Sequence, residues 1–281
     1  MLRHYADQTY HVYFELAMTD KSFPKLSDFD EKQLIWMADE HDDIAFATAL
    51  GAHPAMKREG GFCEIITGHD DPFANMAFGM NVPDPENRVK AISDRLSSLS
   101  VPGYFWVGPC TKPANLDEIL VQNGWRHIAS PPAMVVDLHD LRAPQLPIGF
   151  ELREVTSDDD LKIWQETVAK GFHLRPEVAQ MFSSVGDPSM RYFTAFIDDQ
   201  PAGTTALFIH KGVPGIYSVC TLPEFRGRGI GSALTSLPFL DARAGGCHIG
   251  TLQASKMGLP IYQRLGFQEV CKLKLFSFGL P

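Results

Sequence analysis

The sequence lacks most of what would classify it quickly. Among 281 residues no apolar run approaches the length of a membrane span. Positive charge is scarce: 25 Lys and Arg stand against 34 Asp and Glu, for a net charge of −9. That balance argues against non-specific nucleic-acid binding, which needs a basic face. Cysteine is sparse and odd in number, at Cys63, Cys110, Cys220, Cys247 and Cys271, and no two form a C-x-x-C pair. Neither a disulfide framework nor a zinc site is expected, and a reduced, cytoplasmic setting is. The N-terminal stretch MLRHYADQTYHVYFELAM scatters its charges and has no apolar centre, so no signal peptide is expected.

What is present is a globular composition, 44% hydrophobic and 21% charged, in a chain long enough for two domains. The clearest boundary is the proline-stiffened stretch from Leu138 to Phe150, with Pro144 and Pro147. Residues 1–140 and 149–281 are expected as two domains, with 141–148 as linker. After the linker, Phe150 to Val155 alternates like a strand. Ser157 is a candidate N-cap for a helix carrying Leu161, Trp164 and Val168. Residues 191–222 read as an antiparallel meander broken by turn clusters at Asp198–Gly203 and Lys211–Gly215. A glycine-rich stretch follows, then a helix with Ile230, Leu234 and Leu237 on one side, which Pro238 should kink or end. A strand over His248–Ser255, a short helix stopped by Gly266, and an alternating tail QEVCKLKLFSF complete this half. In the first half, DIAFATAL, GFCEIITG, GYFWVGP and MVVDL read as strands, and NRVKAISDRLSSL and NLDEILVQNGW as helices. The order strand, helix, strand, helix, glycine, aromatic, strand occurs in both halves, from Pro83 to Gly124 and from Pro223 to Gly266. This is a weak internal repeat.

The stretch EFRGRGIGSAL, Glu224 to Leu234, carries the chemistry. Glycines let backbone N–H groups approach a ligand, a helix start adds unpaired donors, and Arg226 and Arg228 add charge. Together they suit a pyrophosphate. A P-loop is excluded because its lysine is missing. A dinucleotide fingerprint fails because its third glycine is absent and the preceding strands form a meander. What remains is R-x-x-G-x-G at the end of a meander strand, opening a helix. This arrangement resembles the GNAT superfamily of acyl-CoA-dependent N-acetyltransferases, whose phosphate loop is matched by Arg226, Gly229 and Gly231. The resemblance extends through VCTLPEF upstream and LQASKMGLPIYQRLGF downstream. It covers Phe150 to Phe278. The first half looks, more loosely, like the degenerate domain of tandem GNAT proteins. A solvated surface turn is the competing reading of the loop alone.

The resemblance implies an α/β fold: two GNAT-like domains, each a mostly antiparallel mixed sheet flanked by helices. It implies acetyl-CoA as co-substrate, no metal, and a cofactor cradle from Arg226, Gly227, Arg228, Gly229, Ile230, Gly231 and Ser232. Backbone groups of Val219 and Thr221 would pair with the pantetheine arm. Tyr262 matches the family's general acid, its alternative being a packing tyrosine beside Ile261 and Leu265. Ser255 either lies near the cofactor or caps the following helix. No general base is legible: GIYSVCTL carries neither carboxylate nor imidazole, Glu224 lies past Pro223 in the loop, and His210 and His248 read as structural. Cys220 reads as a small buried residue. Trp164, Phe172, His173, Phe182 and Tyr217 are candidates for the acceptor pocket or for plain core. If they line it, an apolar or aromatic amine is favoured. The loop's counterpart in the first half, Val82 to Ile92, has no glycine and carries Asp84 and Glu86, and Leu120 stands where Tyr262 stands in the second. Only the second half is therefore expected to hold cofactor.

The expected activity is transfer of an acetyl group from acetyl-CoA to a primary amine of a small molecule or peptide, by direct attack in a ternary complex. The alternative is a CoA-binding sensor or scaffold that has lost turnover. No nucleic-acid or membrane partner is expected, and the chain would be a monomer or homodimer.

Overall fold

The computed structural model describes residues 23–182 and 188–280. The expectation about the N-terminal stretch concerns residues outside that set. The first half runs α1 (Glu31–Ala49), β1 (Met56–Glu59), β2 (Phe62–Ile66), β3 (Asn75–Gly79), α2 (Pro85–Leu99), β4 (Gly103–Val107), α3 (Leu116–Gln122), β5 (Arg126–Ala129) and β6 (Pro132–Asp137). The second runs β7 (Phe150–Glu154), α4 (Asp158–Phe172), α5 (Pro176–Ala179), β8 (Met190–Ile197), β9 (Gln200–His210), β10 (Val213–Thr221), α6 (Ile230–Ala244), β11 (Ile249–Gln253), α7 (Leu259–Arg264), β12 (Gln268–Lys272) and β13 (Lys274–Phe278).

These elements build two mixed sheets flanked by helices, as the resemblance implies. One has the order β1-β2-β3-β4-β13-β5, the other β12-β6-β11-β10-β9-β8-β7. The repeat is visible in the pairing: β3 runs parallel to β4, and β10 parallel to β11, each over just two residue pairs. Sheet membership cuts across a sequence boundary at 141–148. β6 lies between β11 and β12, and β13 lies between β4 and β5. Each half thus lends its last strand to the other half's sheet.

One local expectation is corrected and two are made more specific. DIAFATAL is the C-terminal part of α1, not a strand. The helix is started by a capping box: Asp30 Oδ1 accepts the Gln33 N–H and Gln33 Oε1 accepts the Asp30 N–H, both at 2.8 Å. Its buried positions Ala38, His41, Asp42 and Ala45 recur at helical spacing, but two of them are polar, which hides the apolar stripe. Pro238 does not end α6, which continues to Ala244. Burial of Pro238, Phe239 and Ala242 holds the helix across the missing donor. The tail QEVCKLKLFSF is two strands in two sheets, β12 and β13. Strands β1, β3 and β5 were not legible as separate elements.

α1 lies against both sheets. Ala47 and Leu50 join a core with Met76 and Phe78 of β3. Ala45 packs with Trp164 and Phe208, and Met37 with Val135, Val213 and Ile249 of the second sheet. Ile216, Leu252, Phe239 and Tyr262 pack together in a separate core, into which α6 and α7 face.

Candidate active site

β10 and β11 pair at Gly215 with Thr251 and at Ile216 with Leu252, and then part. Two features of the sequence drive the parting. Ser218 takes a left-handed conformation, φ +52°, and the register of β10 against β9 shifts between Tyr217 and Cys220. β11 meanwhile stays paired with β6 as far as Gln253. A cleft therefore opens beyond Ile216, with Val219 and Thr221 on the diverging stretch of β10.

The glycine loop stands at the end of that stretch. Gly227 and Gly229 adopt φ +77° and +83°, a region that side chains disfavour. A Cβ at Gly227 would meet nothing within 4 Å, and one at Gly229 only the Gln145 carbonyl at 3.6 Å. The backbone there is bare and open. Gly229 is the N-cap of α6 and brings no side chain to the helix start, so the first N–H groups, at Ile230, Gly231 and Ser232, have no side-chain cap. Arg226 Nε donates to the Thr221 carbonyl at 3.1 Å, and the Arg228 guanidinium lies 5.5 Å from the Phe225 ring centroid. Both arginines are exposed. Uncapped donors, bare backbone and two cations fit an anionic phosphate group.

Tyr262 is buried on α7 against Phe267, with the Thr235 hydroxyl of α6 beside its phenol. Burial pushes that phenol up to about 12, against the opposing Thr235 hydrogen bond. Ile261 reaches towards Gly231, so α7 packs beside the start of α6. Ser255 Oγ accepts the Gly258 N–H at 3.1 Å in the turn before α7, but the N-cap of α7 is Gly258 and not Ser255. Cys220 is buried, its sulfur 3.1 Å from the Thr204 hydroxyl, and burial holds its thiol up.

The other candidates disperse. Trp164 is core, its Nε1 donating to the Thr205 carbonyl at 3.2 Å. Phe172 is exposed, and His173 is the left-handed cap of α4. Phe182 packs at the edge of the α1 cores. His210 closes β9 and faces Glu40 at 3.6 Å, away from the cleft. His248 bonds to His139 at 2.9 Å. Of the aromatic set, Tyr217 alone stands where the strands part.

Sequence reasoning missed what surrounds Tyr217. α1 of the first half brings His41 and Asp42 onto it. The Tyr217 hydroxyl is 2.7 Å from His41 Nδ1 and 2.9 Å from Asp42 Oδ1. Gln253 Nε2 of β11 donates to Asp42 Oδ2. His41 Nε2 bonds to the Val213 carbonyl at 2.9 Å, and its ring occupies the space a side chain at Gly215 would need. Burial lifts Asp42 to about 7, opposed by the Gln253 and Tyr217 hydrogen bonds, and burial lowers His41 to about 4. Asp39 and Asp43 on the same helix are also raised, chiefly by burial. The one signal in the sequence was DEHDD, four acids and a histidine inside an otherwise helix-forming run.

In the first half, the segment equivalent to the glycine loop offers no such cradle. Asp84 precedes α2 with φ +46°, Pro85 opens it, and Asn87 bonds to the Asp84 carboxylate.

A family model described as an acetyltransferase (GNAT) domain matches residues 188–269. Mycothiol acetyltransferase of Cellulomonas flavigena is 25% identical over 277 residues, covering 84% of this chain and 76% of that protein. A GCN5-related N-acetyltransferase from Kribbella flavida has a similar structure, with a TM-score of 0.63 at 20% identity over 86% of this chain and 96% of its own. A tandem GNAT protein from the clavulanic acid biosynthesis pathway gives 0.56 at 15% identity over 91% and 97%. These two structures speak for the fold: a pair of GNAT-like sheets in one chain. The domain match lies over the cleft and the loop, so this part of the second half is similar to GNAT acetyltransferase domains.

Proposed function

We propose that the chain transfers an acetyl group from acetyl-CoA to a primary amine of a small molecule or peptide, by direct attack in a ternary complex. The carrying observation is the open glycine loop with its uncapped α6 start beside the cleft between β10 and β11. Acetyl-CoA would supply the activated acyl group. The N–H groups of Ile230, Gly231 and Ser232 would hold the pyrophosphate, with Gly227 and Gly229 leaving room and Arg226 and Arg228 lending charge. Val219 and Thr221 would align the pantetheine arm along β10. Tyr262, kept protonated by burial, would hydrogen-bond the leaving sulfur. Ser255 would lie near the cofactor, its hydroxyl bonded to the Gly258 N–H of the turn before α7.

In this reading the two domains divide the work. Residues 149–281 hold the cofactor. The first half, lacking a cradle at Val82–Ile92, covers the acceptor side through α1. The Cellulomonas flavigena relative is named for mycothiol, so mycothiol-type acceptors belong in any substrate screen. Five free cysteines support a reduced, cytoplasmic compartment.

Calorimetry with acetyl-CoA tests the reading first, comparing wild type with Gly229→Glu. Micromolar binding that the substitution abolishes places the cofactor at this loop. Thiol release with an amine panel then separates an enzyme from a CoA-binding sensor. Absence of binding to the wild type would refute the assignment.

A further inference from the structure

Acyl transfer to an amine leaves a proton on the nitrogen, and β10 has neither carboxylate nor imidazole to take it. α1 supplies both at the root of the cleft. Tyr217 and Gln253 are the residues next after the last β10–β11 pair, one on each diverging strand. The Asp42 carboxyl joins them, Oδ1 to Tyr217 and Oδ2 to Gln253.

Valence fixes which atom donates in this chain. The Val213 carbonyl can only accept, so His41 Nε2 carries a hydrogen. Nδ1 of the neutral ring is then a bare acceptor, and the Tyr217 hydroxyl donates to it. Tyr217 has one hydrogen, so its oxygen receives another from a protonated Asp42. When Asp42 is ionised, the Tyr217 hydrogen turns to it and His41 Nδ1 loses its donor. The two arrangements differ by one proton and one hydroxyl rotation. A reversible proton acceptor needs this. The surroundings keep the two close in energy. Asp39 and Asp43 on α1 face the carboxyl, Asp43 Oδ2 being shut from water without a partner. Cys110 and Cys271 lie near the same acids, and His210 and Glu40 lie beyond His41. Burial then holds the carboxyl at about 7, where a base is most effective.

We propose that Asp42, contributed by the first half, is the general base of the transfer, with Tyr217 and His41 as the positioning residues that set its state. This rests on the acyl-transfer reading above. The amine nitrogen bonds to the acyl carbon as the carbon–sulfur bond breaks, and that bond's electron pair leaves on sulfur. The nitrogen's surplus proton passes to ionised Asp42, which later returns it to solvent. Sulfur takes a proton from Tyr262 or water.

The test compares full-length wild type, Asp42→Asn and Tyr217→Phe for thiol release from about pH 5.5 to about pH 9, the range that brackets a base poised near neutrality. Wild-type kcat/KM should rise along a limb centred near pH 7. Asp42→Asn should lower it about 10²–10⁴-fold and flatten the limb, while acetyl-CoA affinity by calorimetry stays unchanged, which also shows the variant folded. Tyr217→Phe removes a donor from ionised Asp42 and should move the limb to higher pH. Asp42→Asn turning over like wild type, with its limb intact, overturns the proposal and leaves the acyl-transfer reading standing. A wild type that binds acetyl-CoA but releases no thiol with any amine overturns both. One readout needs no turnover: nitrogen NMR of His41 should show Nε2–H and a bare Nδ1 at neutral pH. A ring protonated at Nδ1 alone would contradict the hydrogen-bond chain.

Discussion

Asp42 and His41 are buried ionisable groups whose stability effects run in opposite directions along the pH scale. Asp42 is raised in the folded state, so its proton is bound more tightly there than in the unfolded chain. The stability it adds is fully present below its unfolded value of about 4, and is lost as pH rises through about 7. His41 is lowered, so its contribution is present above about 6.5 and is lost as pH falls through about 4. Asp42→Asn should therefore raise the thermal midpoint above pH 7, by on the order of 1–3 kcal/mol of stability, and change little in acid. Thermal melts across pH check this, and a variant no more stable at pH 8 than wild type would contradict it. Tyr262 carries a separate expectation. A phenol at about 12 keeps its proton throughout the working range, so it sets no limb near neutrality. Tyr262→Phe should lower kcat roughly 10²-fold while leaving both acetyl-CoA affinity and the limb near pH 7 in place. Steady-state kinetics against pH decide it.

At the scale of elements, the proposed phosphate cradle is a junction: the end of β10, a short loop and the first turn of α6. Its donors are free because Gly229, as N-cap, has no oxygen to offer them. Gly229→Glu acts three ways there. It forces a side chain into a left-handed conformation, fills the open space, and puts negative charge at a helix start meant for an anion. Loss of acetyl-CoA binding by at least about 10²-fold is expected, two like-signed charges being brought together where donors had been free. α1 shows the opposite case. Asp30 and Gln33 form its capping box, which the sequence reading did not pick out, and the run DIAFATAL reads as a strand. Three of its seven buried residues, Asp39, His41 and Asp42, are polar, because part of that face meets Tyr217, Gln253 and backbone rather than a plain apolar core. A buried polar face has no apolar stripe to detect.

At the scale of the whole molecule, the exchanged strands tie the halves together. β13 sits inside the first sheet and β6 inside the second, so neither sheet is complete without chain from the other half. The two should unfold as one. Phe276 of β13 is a sharp probe: it is 2% exposed in the core that holds Phe105 and Trp125 of the first half, though it belongs to the second half in sequence. Phe276→Ala should cost about 3–5 kcal/mol. Tryptophan fluorescence and loss of acetyl-CoA binding should shift to the same lower denaturant midpoint. Two separated transitions would show that the halves fold independently.

The sequence by itself determined most of the second half's element order, short of α5 and the division of the tail, together with the loop from Arg226 to Ser232 and the absence of a comparable loop at Val82–Ile92. These are local features: glycines where the backbone must be bare, a meander set by turn residues, and a helix start set by its cap. It also carried the weak repeat, because punctuation by proline and glycine survives when side chains diverge. Only the tertiary structure decided which sheet each final strand joins, since β6 and β13 are short, mostly buried runs whose residues do not name a partner strand. It also decided that Asp42 and His41 meet Tyr217. Residues 175 and 176 positions apart share no spacing rule, and nothing in a buried acid's own neighbourhood names the tyrosine it will find. Local chemistry writes the glycine loop into the chain; long-range packing brings α1 to Tyr217.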